Sequence, residues 1–154
     1  MGLRFAPCWM ERHPLMQTCP DVNVLINAVN PASPRHQAAR AYLQTAGSAG
    51  MLVLPDVAAS FCRIVTNARM FSTPSTTPAA RAIIDGLLDR RGVSLATPSS
   101  RRLSVMWRLC HDHGISGDDV ADAFLLAGAI DVGATFVTFD RRLGRHGDGI
   151  VHVL

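Results

Sequence analysis

Short apolar runs alternate with longer amphipathic segments along most of the chain, and this order constrains the fold more than any other feature. The runs with the composition of strands are 16–19, 51–54, 93–96, 134–139 and 149–154. Between them lie helical segments of about ten to fifteen residues. Such an order is typical of βαβ units, in which helices cover both faces of a parallel sheet. We therefore predict an α/β protein, a three-layer α/β/α sandwich around a central, mainly parallel sheet.

The helix ends are marked by residues that commonly cap helices. The first helix is expected to begin near Asn23. Later helices are expected to begin where proline can occupy the first turn, at Ser33 with Pro34, at Pro55, and at Thr77 with Pro78. Three are expected to end at glycines that tolerate a left-handed backbone, namely Gly47, Gly114 and Gly133. Asp56 falls in a first helical turn, where its charge complements the helix dipole.

Length and composition favour a single domain. The chain has 154 residues, of which 48% are hydrophobic, enough for one buried core. Residues 1–15 show neither helical nor strand periodicity, so we expect a loose N-terminal extension followed by one domain over 16–154. Because the patterned sequence begins at Met16, a chain that starts there is expected to fold equally well.

Nothing in the sequence indicates a membrane or an oxidising compartment. No apolar stretch approaches the ~18 residues needed to cross a bilayer, and the N-terminus has no continuous apolar segment of a signal peptide. Cys8, Cys19, Cys62 and Cys110 are scattered without CxxC spacing, which favours reduced thiols over disulfides or a zinc site. We expect a cytoplasmic protein with no membrane association.

The basic residues are unusual in kind, because all 15 are arginine and the formal net charge is +3. A high-GC coding bias accounts for this most simply. The alternative is binding to phosphate through bidentate arginine contacts. Trp107 and Phe124 are expected in the core rather than as platforms for stacked bases.

Aspartates occur where a ligand site of such a fold would lie. Glu11 is the only glutamate, so a carboxylate site in the folded body must be built from aspartates. Asp21 follows the first predicted strand, and Asp140 directly follows the strand 134–139. In open parallel sheets, ligands bind beyond the carboxyl ends of the strands. Both aspartates are therefore site candidates, although an aspartate after a strand also suits a simple turn.

Three further aspartates begin a predicted helix in the stretch GDDVADA. Asp118 and Asp122 are four residues apart and Asp119 and Asp122 three, so each pair shares a helix face. Asp118 and Asp119 also suit a helix start on electrostatic grounds alone. Asp122 lies further into the helix among apolar neighbours, where that explanation is weaker.

Aspartates gathered in this way need a counter-charge. They repel each other, and their pKa values rise unless a cation neutralises them. Hard oxygen ligands with open positions suit Mg²⁺ or Mn²⁺. Such an ion lowers the pKa of bound water and stabilises the leaving oxygen. The aspartates therefore point to metal-assisted phosphodiester cleavage.

Four stretches, taken in order, resemble one family. They are DVNVLINAV at 21–29, RIVTNARMF at 63–71, the run from Gly117 to Leu143, and IVHVL at 150–154. Together they resemble the PIN-domain ribonucleases, specifically the VapC-type toxins of bacterial toxin–antitoxin pairs, in the branch common in mycobacteria and other actinobacteria. The ordered set, rather than any single motif, carries the resemblance.

The resemblance implies a parallel α/β/α sandwich whose acidic residues hold Mg²⁺ and cut RNA. It implies that Asp21, Asp122 and Asp140 bind the metal ion. Asn23 is expected to orient the first ligand, two positions before it in the chain. The predicted activity is that of a metal-dependent ribonuclease toxin, with Mn²⁺ as the alternative ion.

Further expectations concern water and partners. Asp119 or Asp118 is expected to position water or a second metal ion. The expected partners are an RNA substrate, a second copy of the chain in a homodimer, and a cognate antitoxin. The antitoxin is expected to place a basic side chain or helix over the acidic pocket.

Two positions depart from the family pattern. Many members carry a glutamate on the helix after the second strand, where Ser60 stands here, with Asp56 one turn earlier. Pro20 removes a sheet hydrogen-bond donor beside Asp21. These departures keep a second hypothesis open, a catalytically impaired PIN module that binds antitoxin or RNA without cleaving.

Overall fold

The computed structural model describes residues 17–147 and 149–154. Its strands are β1 (Thr18–Pro20), β2 (Met51–Val53), β3 (Val93–Leu95), β4 (Thr135–Thr138) and β5 (Val151–Val153). Its helices are α1 (Val22–Val29), α2 (His36–Ala49), α3 (Pro55–Val65), α4 (Thr77–Leu88), α5 (Arg101–His113) and α6 (Asp119–Asp131), with a 3₁₀ turn at Leu143–Arg145. The predicted extension 1–15 lies outside the described residues.

The described strands form one sheet in the order β3-β2-β1-β4-β5, and every neighbouring pair is parallel. Crossover connections between parallel strands are right-handed. The helices that carry the chain from β1 to β2 and on to β3 therefore cover one face of the sheet. α5 and α6 return the chain from β3 to β4 and cover the other face. The predicted three-layer α/β/α sandwich is confirmed.

The direction of the chain reverses between two adjacent strands, β1 and β4. From β1 the chain proceeds towards one edge of the sheet, and from β4 it proceeds to β5 at the other. The helices after β1 and the helix before β4 lie on opposite faces, so a crevice opens beyond the carboxyl ends of these two strands. This crevice is where the fold places a ligand site.

β4 and α6 form the middle of the core. Every residue of β4 is buried, and α6 buries Leu125, Leu126 and Ala127 against the sheet. At the far side of β1, the buried Tyr42 hydroxyl donates a 2.7 Å hydrogen bond to Thr18. Since α6 is buried over most of its length, its acidic first turn is the part that can reach a pocket.

Several predicted helix ends are confirmed and others are wrong. Pro55 begins α3, and Gly114 follows α5 with φ of 63°. Gly47 does not end its helix, because α2 continues to Ala49 and stops at Gly50, where φ is 93°. A Cβ at Gly47 would lie 2.8 Å from the carbonyl oxygen of Arg91, so this glycine permits a close approach between two segments.

The predicted start of α2 is wrong, whereas that of α4 is confirmed. Ser33 does not cap α2, because its hydroxyl accepts a 3.1 Å hydrogen bond from the Arg35 amide in a turn before the helix. α4 begins at Thr77 as predicted, but its capping residue is Thr76 rather than Thr77, and the Thr76 hydroxyl accepts from the amide of Ala79 at 3.3 Å.

The prediction that Trp107 lies in the core is wrong. Its side chain is 60% exposed on the outer face of α5, whereas the buried face of this helix passes through Val105, Met106 and Leu109. Among the described helices, none has the length and apolarity needed to cross a membrane. Cys19, Cys62 and Cys110 are free thiols, and burial raises the pKa of Cys19 to about 12.

Candidate functional site

Asp21 stands between β1 and α1, at the carboxyl edge of the central strand. Pro20 ends β1 in register with Val137 of β4, and the Asp21 amide then donates to the Val137 carbonyl at 2.8 Å. The ladder therefore resumes directly after the proline that cannot donate. Asp21 is 4% exposed and takes the extended backbone of a helix N-cap.

The Asp21 carboxylate is held by two side-chain donors. Its Oδ2 accepts hydrogen bonds of 2.7 Å from the Asn23 amide and 2.7 Å from the Thr138 hydroxyl. Burial nevertheless raises the pKa of Asp21 to about 6, against the opposing effect of these bonds, and the nearby Asp122 charge adds to the rise. Asp21 is therefore a carboxyl group whose charge requires compensation.

Asn23 and Thr138 tie β1 to the end of β4. The Asn23 amide nitrogen donates to the Thr138 hydroxyl oxygen at 2.9 Å, and its oxygen accepts from the Phe139 amide at 3.2 Å. The same hydroxyl oxygen accepts from the Asp140 amide at 3.0 Å. Thr138 was missed by the sequence reasoning. A signal was available, since Thr138 is a polar residue at the end of a predicted strand and lies two residues before Asp140, a predicted ligand.

Three of the predicted site aspartates, Asp119, Asp122 and Asp140, line one pocket. The other lining residues are Ile115, Arg142, Leu143 and His146, and the pocket offers about 70 Å³ of space. That is room for an ion with several waters, since one water needs ~10–15 Å³ on this measure. Asp21 does not line the pocket, but it lies close enough to Asp122 for the two carboxylate charges to repel each other.

The pocket aspartates differ in their electrostatics. The pKa of Asp122 is raised by burial and then by the neighbouring carboxylates of Asp140 and Asp119. The pKa of Asp140 is lowered, chiefly by its hydrogen bond with Arg142. Asp118 is exposed just before α6 and is not among the lining residues in the described part of the chain. Of the two predicted water-positioning residues, the pocket contains Asp119.

Arg142 is the positive charge of this pocket. Its guanidinium lies 3.0 Å from Asp140 Oδ2 and 3.6 Å from Asp119 Oδ1, and its backbone amide donates to Asp140 Oδ1 at 2.8 Å. Sequence reasoning did not single it out. A signal was available, since Arg142 lies two residues after a predicted ligand, where side chain and backbone can both reach the same carboxylate.

Comparison with known proteins places this arrangement in a family. A model of the PIN domain matches residues 18–149. The chain belongs to the PIN-domain family. It is 36% identical over 129 residues to the VapC ribonuclease Mb2897 of Mycobacterium bovis, across 82% of this chain and 88% of that protein. It is 32% identical over 127 residues to ribonuclease VapC25 of Mycobacterium tuberculosis, across 81% and 89% of the two chains.

Solved structures show the same PIN fold. VapBC2 from Rickettsia felis, bound to a DNA fragment from its promoter, aligns with a TM-score of 0.65 at 17% identity, over 88% of this chain and 97% of that one. VapC20 of Mycobacterium tuberculosis, a toxin that cleaves the sarcin–ricin loop, aligns with a TM-score of 0.63 at 15% identity, over 84% and 95%. This PIN domain therefore groups with VapC ribonucleases in sequence and in fold.

The helix after β2 supplies no carboxylate to the pocket of this PIN domain. Ser60 is half-buried on α3 and is absent from the described pocket lining. Asp56, one turn earlier, accepts a 2.6 Å hydrogen bond from the buried Arg102. Arg102 also donates to the Phe124 carbonyl at 3.0 Å and lies 3.6 Å above the Phe124 ring. Asp56 therefore connects α3 to α5 and α6 through its hydrogen bond with Arg102.

The pocket offers the type of oxygen ligand that a hard divalent cation prefers. Its carboxylates do not converge on one point. Asp119, Asp122 and Asp140 offer the carboxylates that Mg²⁺ and Mn²⁺ prefer. Burial raises the pKa of Asp122, and the close carboxylates of Asp140 and Asp119 raise it further, an effect that a bound cation would oppose. Within the described residues, no three acidic, histidine or cysteine side chains converge closely enough to hold a metal. The Arg142 guanidinium stands between two of the carboxylates.

Proposed function

We propose that this PIN domain is a Mg²⁺-dependent ribonuclease and acts as the toxin of a toxin–antitoxin pair. The observation that carries the proposal is the meeting of Asp119, Asp122 and Asp140 in one pocket beside the buried Asp21, at the reversal point of the sheet. Its membership of a family with VapC ribonucleases at 36% identity supplies the reaction class. Mn²⁺ would serve the same donors.

Asp21, Asp122 and Asp140 would hold the metal ion, which when bound supplies an activated water and stabilises charge on the leaving oxygen. Asn23 and Thr138 orient Asp21, because both donate to the same carboxylate oxygen. Asp119, at the open side of the pocket, would position the attacking water or a second ion. Burial of Asp21 keeps its carboxylate fixed before substrate arrives.

The partners follow from the same proposal. RNA would be the substrate, a second copy of the chain would form a homodimer, and a cognate antitoxin would cover the acidic pocket with a basic side chain or helix. The VapBC2 neighbour, a toxin–antitoxin pair, supports an antitoxin partner. The proposed place of action is the cytoplasm.

The proposal is tested by induced expression of the wild type, Asp122→Asn and Asp112→Asn, with RNA 5′ ends mapped after induction. Asp112 is exposed at the end of α5, so its substitution removes the same charge away from the pocket. We expect wild type and Asp112→Asn to arrest growth and generate the same new RNA ends. Asp122→Asn should produce neither.

The metal requirement is tested separately by thermal unfolding in EDTA and in increasing Mg²⁺. A cation that binds only the folded state raises its stability by RT ln(1 + [L]/Kd). We expect a concentration-dependent rise in Tm for the wild type that Asp21→Asn and Asp122→Asn largely lose. Equal shifts in all three proteins would exclude this pocket as the metal site.

The alternative function is a PIN module that binds RNA or antitoxin without cleaving. The observation in its favour is Ser60, which leaves α3 without a carboxylate in the described pocket lining. The two functions differ in the wild type itself. No new RNA ends on expression, together with retained binding of RNA or of the proposed antitoxin, would select the alternative.

A further inference from the structure

Arg142 contacts two of the carboxylates in the proposed metal pocket. Its guanidinium contacts Asp140 Oδ2 at 3.0 Å, Asp140 Oδ1 at 3.4 Å and Asp119 Oδ1 at 3.6 Å. We propose that Arg142 is an internal counter-ion of the carboxylate pocket and that a divalent cation must displace its guanidinium in order to bind. This inference rests on the proposed function.

The two cations compete because they use the same oxygen atoms. Mg²⁺ binds carboxylate oxygens at ~2.0–2.1 Å in a nearly octahedral shell. The guanidinium hydrogen-bonds both oxygens of Asp140, so it competes with an ion for the same two atoms. A divalent ion at Asp140 would also lie within a few ångströms of the arginine charge, where like charges repel strongly. Simultaneous binding is therefore unfavourable.

The Arg142 side chain can move out of the pocket at low cost in free energy. Its side chain is 66% exposed, and it belongs to the turn after β4 rather than to a helix or strand. Exposed ion pairs are weakly held and are screened by salt. The buried Arg102 makes the contrast clear, because its side chain is only 9% exposed and is fixed by Asp56 and by the Phe124 ring.

Arg142 balances only part of the acidic charge in the pocket. Among the described ion pairs it contacts Asp140 and Asp119 but not Asp122, the third carboxylate of the pocket lining. One arginine therefore faces three carboxylates, and the pocket retains negative charge that attracts a divalent cation. Removal of Arg142 should tighten metal binding and weaken the metal-free fold at the same time.

The experiment measures Mn²⁺ binding directly, from the electron paramagnetic resonance signal of the free ion, in wild type, Arg142→Gln, Arg141→Gln and Asp122→Asn at low salt and without RNA. Arg141 is the matched control, because it is the exposed neighbour in the same turn and makes no ion pair within the described residues. Thermal unfolding of the same proteins in EDTA is the second readout.

We expect Arg142→Gln to lower the Kd for Mn²⁺ by about fivefold, the scale set by exposed ion pairs. Arg141→Gln should stay within about twofold of the wild type, since it changes only the general charge. In EDTA, Arg142→Gln should have a lower Tm than Arg141→Gln, and in Mn²⁺ it should gain more. If Arg142 had only a structural role, Arg142→Gln would lower Tm without lowering the Kd for Mn²⁺.

Two failures are distinguishable. If wild type and Arg142→Gln bind Mn²⁺ saturably with equal Kd, and Asp122→Asn does not bind, the counter-ion inference is overturned and the metal site stands. If the wild type binds no more Mn²⁺ than Asp122→Asn, the metal site fails, and the inference about Arg142 falls with it.

Discussion

The Thr138 hydroxyl donates a 2.7 Å hydrogen bond to the Asp21 carboxylate, although 117 residues separate the two in the chain. The bond joins the carboxyl ends of β1 and β4, the adjacent strands at which the sheet reverses direction. Asn23 donates to both partners, so three side chains form a closed network. The orientation of the Asp21 carboxylate therefore depends on Thr138, which lies far away in the sequence.

Thr138→Val is expected to lower both stability and RNA cleavage, whereas Thr138→Ser retains them. Valine keeps the shape but removes a donor to Asp21 and an acceptor for the Asn23 amide and the Asp140 amide. Buried polar groups left without partners cost about 1–3 kcal/mol. Urea unfolding and cleavage assays of both variants test this. A valine variant as active as the serine variant would show that the network does not position Asp21.

Asp21→Asn is expected to change how stability depends on pH. The pKa of Asp21 is about 6 in the folded protein and close to 4 in an unfolded chain, so the folded state binds this proton more tightly. The resulting stabilisation is complete below about pH 4 and is lost as pH rises through 6. From pH 4 to 7, the variant should therefore gain up to about 3 kcal/mol relative to the wild type.

This pH prediction is measured by urea unfolding in EDTA, which keeps the carboxyl group free of metal. Asp112→Asn is the control, because it removes a carboxylate that is exposed at the end of α5. If the stability difference between Asp21→Asn and the wild type does not change with pH, the buried carboxyl group titrates near its ordinary value.

Two glycine-to-alanine substitutions in helices should have opposite effects. A Cβ at Gly128 of α6 would lie 3.0 Å from a Leu54 methyl and 3.0 Å from Arg102 Nε, so Gly128→Ala should destabilise the fold by about 1–3 kcal/mol. A Cβ at Gly86 of α4 would have nothing within 4 Å, so Gly86→Ala should stabilise by about 0.5–1 kcal/mol. Thermal unfolding of the two variants compares them directly.

Asp56→Asn should cost more than Asp85→Asn, although each breaks one arginine ion pair. Asp85 pairs with Arg81 on the surface, with side chains 55% and 81% exposed, and such pairs are worth under about 1 kcal/mol. Asp56 pairs with Arg102, which is 9% exposed and would be left without its anion, at a cost of about 1–3 kcal/mol. Similar unfolding free energies for the two variants would contradict a bracing role for Asp56.

The α/β/α sandwich and the approximate positions of its acidic residues could be predicted from the sequence alone. Strands that alternate with helices are typical of a parallel sheet, and the carboxyl ends of parallel strands meet at one edge, which brings Asp21 and Asp140 together. Helical spacing placed Asp119 and Asp122 on one face. These inferences rely on periodicity, which a single sequence shows directly.

The errors concern contacts between distant segments. The prediction that Gly47 ends a helix is wrong because nothing local indicates that the Arg91 carbonyl approaches it. The prediction that Trp107 lies in the core is wrong because periodicity shows that a helix has a buried face but not which apolar residues fall outside it. Both of these depend on tertiary packing rather than on local pattern. Arg142 differs, because its contact with Asp119 on α6 is not indicated locally, whereas its contact with Asp140 follows from their spacing of two residues.

The reversal of the sheet between β1 and β4 also sets when the pocket can exist during synthesis. β1 is the first described strand to leave the ribosome, yet its neighbour β4 is translated after α6, near the end of the chain. Until then Asp21 has no Thr138 hydroxyl, and the acidic turn of α6 has no Asp140. A nascent chain that stalls earlier carries only part of the nuclease. The proposed active site is therefore incomplete in any nascent chain that ends before Asp140.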